Sequence, residues 1–449
     1  MIFRKHNLLI LLATIGFHAA NLNAQVLPDD EFNSLLRKAN GGWIAGDATY
    51  SIALPDSRTL WLFGDSFIGT ANPDSSIAPG AHMIRNCAVL QDGDSMQAIF
   101  NGSFEEPHDF VLTPSPDSSW FWPEHGIVEN DTLKIFMSEF IEGEGSPGWN
   151  FEFHNTYMVY FSYPGLELLG MDLVPYYLEN GVRYGNQLMQ DGDYTYIYGR
   201  KDMSGNVPYV HLARSPAGKL TAAWEFYDGF GWNEDATQTA RVSFEAVSQQ
   251  YAVFKYQEKY VMLTQQIWLG AEIYTLTADH PEGPWKNKQH VYTTPRPFPD
   301  MFTYNAYAHP QFNEDNELLV SYNSNGDFWE IFNNVELYRP NFIRVPFEMI
   351  DTGFIYSVVP EFKSPQVPVE LYQNKPNPAA ASTEIEFQLR EEMFVSLQLY
   401  NSQGIKIASY INQTKKAGTH RLRINLRNLP PGIYFYRINN STKKIIHCE

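Results

Sequence analysis

The chain repeats itself five times, and that repetition limits the folds open to it. Each copy opens on a polar residue, runs through a short apolar strand, turns on a polar cluster and returns through a second strand. The copies read GDATYSIALPDSRTLWLFGDSF, PEHGIVENDTLKIFMSEF, GNQLMQDGDYTYIYGRKD, FEAVSQQYAVFKYQEKYVMLTQQ and NAYAHPQFNEDNELLVSYNSN. Their opening residues are Asp47, Glu124, Asn186, Glu245 and Asn305, spaced by 77, 62, 59 and 60 positions. A near-fixed period in a β-rich chain means strands arranged radially, so the spacing predicts an all-β chain built around a five-bladed β-propeller. The first strand of each blade then lines a central channel. The five opening residues form an inner ring at one face. The ends of the second strands, Asp65 and Arg200 among them, form an outer ring.

The uneven first gap carries information of its own. A polar, Pro-rich stretch at 101–123 ends in SSWFWPEH, and a second loop, EGEGSPGWN, follows at 142–150. Long loops in compact domains are functional or disordered, and large aromatics argue against disorder. Trp122 and Trp149 are therefore expected to rise over the ring, as surfaces for a ligand.

Charge narrows the ligand. The chain holds 32 basic and 51 acidic residues, for a net −19, of which 370–449 hold 11 and 6. The acidity is thus concentrated before 370. Such a surface repels nucleic acid and anionic membrane and suits a neutral ligand or a cation. The two cysteines, Cys87 and Cys448, do not make a disulfide framework. There is no Gly-rich phosphate loop, no Cys/His metal spacing and no G-x-S-x-G elbow.

The ends of the chain read as export signals. Arg4 and Lys5, an apolar core over 8–17 and small residues up to Ala24 predict a secretory signal peptide at 1–24. No later stretch is long and apolar enough to span a membrane. The propeller is expected over 25–348 and a Pro-marked linker over 349–370. Short alternating strands then recur from STEIEFQL to KIIHC, which predicts a small C-terminal β-sandwich at 371–449. That segment resembles the C-terminal sorting domain of Bacteroidetes type IX secretion. The resemblance rests on the LYQNKPNP opening, the YNSQG turn, the LPPGIYFY close and the basic Lys443 and Lys444. It implies engagement of the type IX machinery, passage through the periplasm, and a final place at the outer-membrane surface or outside the cell.

Three inner-ring acids on one axis raise at least one pKa and set a protonated acid beside an ionised base. Glycosidic bond cleavage needs that pair. The candidate catalytic residues are Asp47, Glu124, Glu245 and Asp65, with Asp47 favoured as base, Glu245 as general acid and Glu124 as a third acid. The candidate substrate contacts are Trp122, Trp149, Arg200, Asn86, Asn186, Asn305 and His309. GDATYS, LPDSRTLWLFGDSFIG, Asn86, NAYAHP and YRPNFIRVP resemble secreted five-bladed propellers of the glycosidase-like class, including relatives of glycoside hydrolase families 43 and 32. The resemblance implies a secreted glycoside hydrolase acting on a polysaccharide, such as an arabinan-like furanoside. It implies no cofactor beyond a structural calcium ion, which His309 could help hold. The third unit opens on Asn186 where those families carry an acid. A non-catalytic glycan-binding propeller is the alternative reading.

Overall fold

The computed structural model describes residues 25–37, 42–144, 149–203, 206–296, 298, 300–354, 369–389, 392–401, 406–427, 429–438 and 441–448. The signal peptide expected at 1–24 and most of the linker expected at 349–370 lie outside the described residues. The chain divides into two compact units, residues 1–356 and 357–449.

The first unit is mostly β. Five antiparallel sheets of four or five strands follow one another along the chain, beside a three-stranded sheet of Trp43–Gly46, Ser66–Ile68 and His82–Ile84 and a two-stranded ribbon of Asn101–Gly102 and Pro107–His108. The first holds Tyr50–Ala53, Thr59–Phe63, Cys87–Asp92 and Ser95–Ile99. The second holds Ser119–Glu129, Thr132–Glu142, Phe151–Ser162 and Leu168–Val174. The third begins with Arg183–Asp191 and Tyr194–Met203, and the fourth with Tyr251–Tyr256 and Lys259–Gln265. The fifth pairs Phe302–Ala308, Glu317–Asn325 and Asn341–Pro346. Its outer edge is completed by Leu27–Pro28 from the start of the chain, with Leu27 opposite Arg344. Asp29 fixes that join. Its carboxylate accepts from Phe32 N as a helix cap and pairs with Arg344 at 2.7 Å.

The leading strands of the five sheets meet around a common centre. Tyr50 OH donates to Glu124 Oε2 at 2.8 Å, and Leu188 N donates to His125 Nδ1 at 3.1 Å. Asn186 Nδ2 donates to Gln249 O at 2.8 Å, and Ala306 N donates to Gln265 Oε1 at 3.2 Å. Tyr307 returns to Tyr50 at 4.8 Å between rings. Strands sandwiched between neighbouring sheets are covered on both faces. Thr59–Phe63 is accordingly a continuous apolar run with every residue buried. One apolar cluster joins the inner strands of the first, second, fourth and fifth sheets, with Ile52, Phe121, Ala252 and Ala306 among its members.

The second unit has one sheet of Val369–Leu371, Ser382–Leu389 and Gly418–Asn425. Its other sheet holds Met393–Asn401, Lys406–Lys415, Gly432–Ile438 and Ser441–His447. Alternating side chains of both sheets, including Ile385, Phe387, Leu397, Leu399 and Tyr436, share one core. The opening motif is wired into it. Asn374 N donates to Tyr436 OH, Asn374 Nδ2 donates to Thr383 Oγ1, and Asn377 Oδ1 accepts from Ile446 N, each at 2.8 Å.

Candidate active site

Irregular backbone builds the site. The inner strands of the second, third and fifth sheets lose register between Pro123 and Gly126, Tyr184 and Gln187, and Tyr304 and Tyr307. Those interruptions contain Glu124, Asn186 and Asn305. A β-bulge re-aims the side chain it carries, which explains why a polar residue opens each of these copies. In the first copy Asp47 follows the strand Trp43–Gly46. It is succeeded by Ala48 and Thr49, both left-handed at φ 66° and 59°. Two consecutive non-glycine residues there cost conformational energy, and such strain gathers at functional sites. Gln250 Nε2 to Ala48 O at 2.5 Å and Asn323 Nδ2 to Thr49 Oγ1 at 3.0 Å hold the turn.

The turn places Asp47 beside Asp65. Asp47 N donates to Asp65 O at 3.3 Å, and Gly64 N donates to Asp47 O at 3.1 Å. Both carboxyls line a cavity of about 770 Å³. Tyr304 OH donates to Asp47 Oδ2 at 2.7 Å. Burial, then the charge of Asp65, push the Asp47 carboxyl from its ordinary 3.8 up to about 7, against hydrogen bonds from Tyr304 and Tyr338. Asp65 sits differently. Trp122 Nε1 donates to its Oδ1 at 2.9 Å, and Arg85 pairs with its Oδ2 at 3.2 Å. Burial raises Asp65 too, but the Arg85 charge and the indole N–H oppose the rise. Two neighbouring carboxyls thus have unlike surroundings: one faces phenols, the other a guanidinium.

Glu124 also lines the cavity, with three donors on its carboxylate. Its Oε1 accepts from Ser138 Oγ at 2.9 Å and Arg200 Nη1 at 3.1 Å, and its Oε2 accepts from Tyr50 OH. Arg200 donates onward to Asn186 Oδ1 at 2.8 Å and Gln249 Oε1 at 2.7 Å. Glu124, Arg200 and Asn186 are therefore the buried polar floor of the cavity, with Asn186 itself out of contact with the opening. Trp122, Trp149 and Asn305 line the wall.

Three expected site residues lie elsewhere. Glu245 does not join the ring. It precedes the fourth sheet's first strand, which starts at Tyr251, and its exposed carboxylate pairs with Lys288 at 2.7 Å. Gln249 and Gln250 take the cavity position that the fourth copy was expected to give Glu245. Asn86 is buried, donating to Val111 O and Phe121 O and accepting from Val111 N, so it ties down the long loop. His309 is buried beneath, with Nδ1 at 2.7 Å from Ser51 Oγ and Nε2 at 2.8 Å from Ser321 Oγ. Both ring nitrogens are engaged by hydroxyls, and burial holds the imidazole at about 3, neutral. With both nitrogens so engaged, His309 has no free ligand atom for the expected calcium.

The sequence reading also passed over Tyr304, Tyr338 and Arg85. Tyr304 and Arg85 each adjoin a residue it singled out, and Tyr338 opens the YRPNF run. None has a local pattern that tells it from a core aromatic or a surface cation.

A family model described as "Domain of unknown function (DUF5005)" matches residues 29–359. One described as "Secretion system C-terminal sorting domain" matches residues 375–447. No curated protein matches the chain. Among crystal structures, a candidate hydrolase from Bacteroides ovatus is similar, with a TM-score of 0.62 and 22% identity over 73% of this chain and 92% of that one. A glycoside hydrolase family 43 arabinoxylan arabinofuranohydrolase from Bacillus subtilis gives 0.39 and 13%, over 89% and 94%. A family 43 protein from Bacillus licheniformis gives 0.39 and 10%, over 95% and 91%. The sorting domain marks the chain for type IX export to the cell surface or beyond. No helix among the described residues is long and apolar enough to cross a membrane.

Proposed function

The chain belongs to the DUF5005 family, and we propose that it is an exported glycoside hydrolase whose five sheets are the blades of a propeller. The observation that carries this reading is the Asp47–Asp65 pair. Asp47, raised to about 7, keeps its proton in about half of the molecules at neutral pH and donates it to the leaving oxygen. Asp65, beside Arg85 and the Trp122 N–H, holds the negative charge and activates water or attacks the sugar. The roles differ from those expected of the acids before the structure. Asp47 becomes the acid, and Asp65 takes the part of the base. The candidate hydrolase of Bacteroides ovatus and the family 43 enzymes are compatible with the reading, and an arabinan-like furanoside is the first substrate to try.

A panel of linear arabinan, arabinoxylan and xylan, assayed for new reducing ends, tests the proposal. Release from none of the three would count against it. The pH profile tests the roles. Activity is expected to fall as pH rises through about 7, where Asp47 loses its proton. Arg85→Met removes the charge that favours ionised Asp65, so the acidic limb should move to higher pH with the alkaline limb little changed.

Gly64 gives an independent check. A Cβ built there lies 2.4 Å from Asp47 Oδ1 and 3.6 Å from Trp122 Cδ1. Gly64→Ala is expected to push Asp47 off Tyr304 and lower kcat by roughly 10²-fold, the scale of a misplaced reacting group. Secretion and the far-UV spectrum should be unchanged. Full activity in Gly64→Ala would show that the position of Asp47 does not matter.

A further inference from the structure

A closed circuit of side chains runs around one side of the cavity. From Asp65 it passes to the Trp122 indole at 2.9 Å. Trp122 meets Phe151 at 4.8 Å between rings, and Phe151 meets Trp149 at 6.3 Å. Trp149 meets Phe302 at 5.9 Å, and Phe302 meets Tyr304 at 5.5 Å. The Tyr304 hydroxyl returns to Asp47 at 2.7 Å. Two of these aromatics, Trp122 and Phe151, come from the second sheet, Trp149 from the loop between its second and third strands, and two from the fifth sheet. The first sheet, which carries the acid pair, lies between them in the cycle. Trp149 therefore spans the first sheet's sector and joins its two neighbours. It is held at the hairpin end by Gly143 N donating to Asn150 O at 2.8 Å.

The opposite side of the cavity is different. It is lined by Arg183, Asp202, Gln249 and Gln266 from the third and fourth sheets, with Trp268 72% exposed. Aromatic rings at these separations are in contact and leave no passage for a sugar ring. The side of the acid pair free of these rings faces the third and fourth sheets. With Asp47 protonated, the carboxylates of Asp65, Glu124, Glu152 and Asp202 still outnumber the guanidinium groups of Arg183 and Arg200 along the wall, which disfavours an acidic sugar.

We propose that the aromatic arch is a stop that seats the terminal unit of a neutral saccharide chain, so that the enzyme cuts from chain ends. This rests on the glycosidase reading above. The flat rings offer C–H-facing surfaces to that unit, and the polar side carries the rest of the chain past Trp268.

Two measurements test it. Wild-type protein is incubated with linear arabinan, arabinoxylan and xylan, and product sizes are followed with viscosity. The expected result is one small product from the earliest times, with viscosity falling slowly per bond cut. Trp149→Ala breaks the arch and should release longer fragments, with viscosity falling several-fold faster per bond. Separately, Asp47→Asn is titrated by tryptophan fluorescence with long and short preparations of each glycan at equal mass. Binding should follow the number of chain ends, and Trp149→Ala in that background should weaken it about tenfold. Internal cutting by the wild type overturns the arch proposal and leaves the hydrolase reading standing. Chain-end binding without cleavage does the reverse. Neither binding nor cleavage overturns both.

Discussion

Asp47→Asn is expected to lower kcat by about 10²–10⁴-fold, the range for losing a positioned general acid, while making the protein lose less stability as pH rises through neutrality. The second half follows from the sign of the shift. The Asp47 carboxyl titrates near 7 in the folded chain against an ordinary 3.8. The folded state therefore binds more protons than the unfolded state between those values. Stability is lost as pH rises through that window and stays lost above it. An asparagine keeps the shape and cannot ionise, so it escapes the loss. Melting curves at pH 5 and pH 8 check this: the melting temperature of the wild type should fall further from pH 5 to pH 8 than that of the variant. Activity lost together with stability at pH 8 would make Asp47 a structural residue. Asp65→Asn should also be nearly inactive, and the double variant little worse than either single one, because the two carboxyls act as a unit.

The mostly β character was legible because strand periodicity is a local signal that survives burial. The apolar run Thr59–Phe63 needs only to be covered on both faces. The opening residues of three copies could be aligned because each sits in a bulge, where the ladder stops dictating the side chain. The fourth copy failed for the same reason. Its inner strand pairs from Tyr251 without interruption, so no bulge marks a position, and the nearest acid in sequence was Glu245 on the surface. Composition could not distinguish a carboxylate facing Lys288 in solvent from one facing Asp65 in a cavity. Nor could it see that Tyr304 and Asp47, 257 positions apart, would meet. The expectation for His309 erred differently. A buried histidine with two hydroxyl partners presents the same sequence as one waiting for a cation.

Arg200→Met is expected to be the most destabilising single change in the cavity, by about 3–5 kcal/mol, because it strands a buried carboxylate. Glu124 and Arg200 are both nearly inaccessible, with side chains 6% exposed. Coulomb attraction between them is offset by the cost of drying both charges, so the pair adds little when intact and much is lost when it is halved. Arg200 also holds Asn186 and Gln249, so its loss opens the contact between the third and fourth sheets. In a domain of this size the expected fall in Tm is on the order of 10 °C. Glu124→Gln should cost less, since its amide oxygen can still accept from Ser138 and Arg200 while its NH2 donates to the Tyr50 hydroxyl oxygen. Combining the two changes should recover about 0.5–3 kcal/mol over the sum of the singles, as for residues sharing one network. Thermal denaturation of the four proteins gives that coupling directly. The same set decides what Glu124 does. If it anchors the floor, Glu124→Gln melts lower but remains far more active than Asp47→Asn at low temperature. If it exchanges protons with the substrate, Glu124→Gln melts normally and is as inactive as Asp47→Asn. The geometry favours the first outcome, since Ser138, Arg200 and Tyr50 already hold its carboxylate on both oxygens.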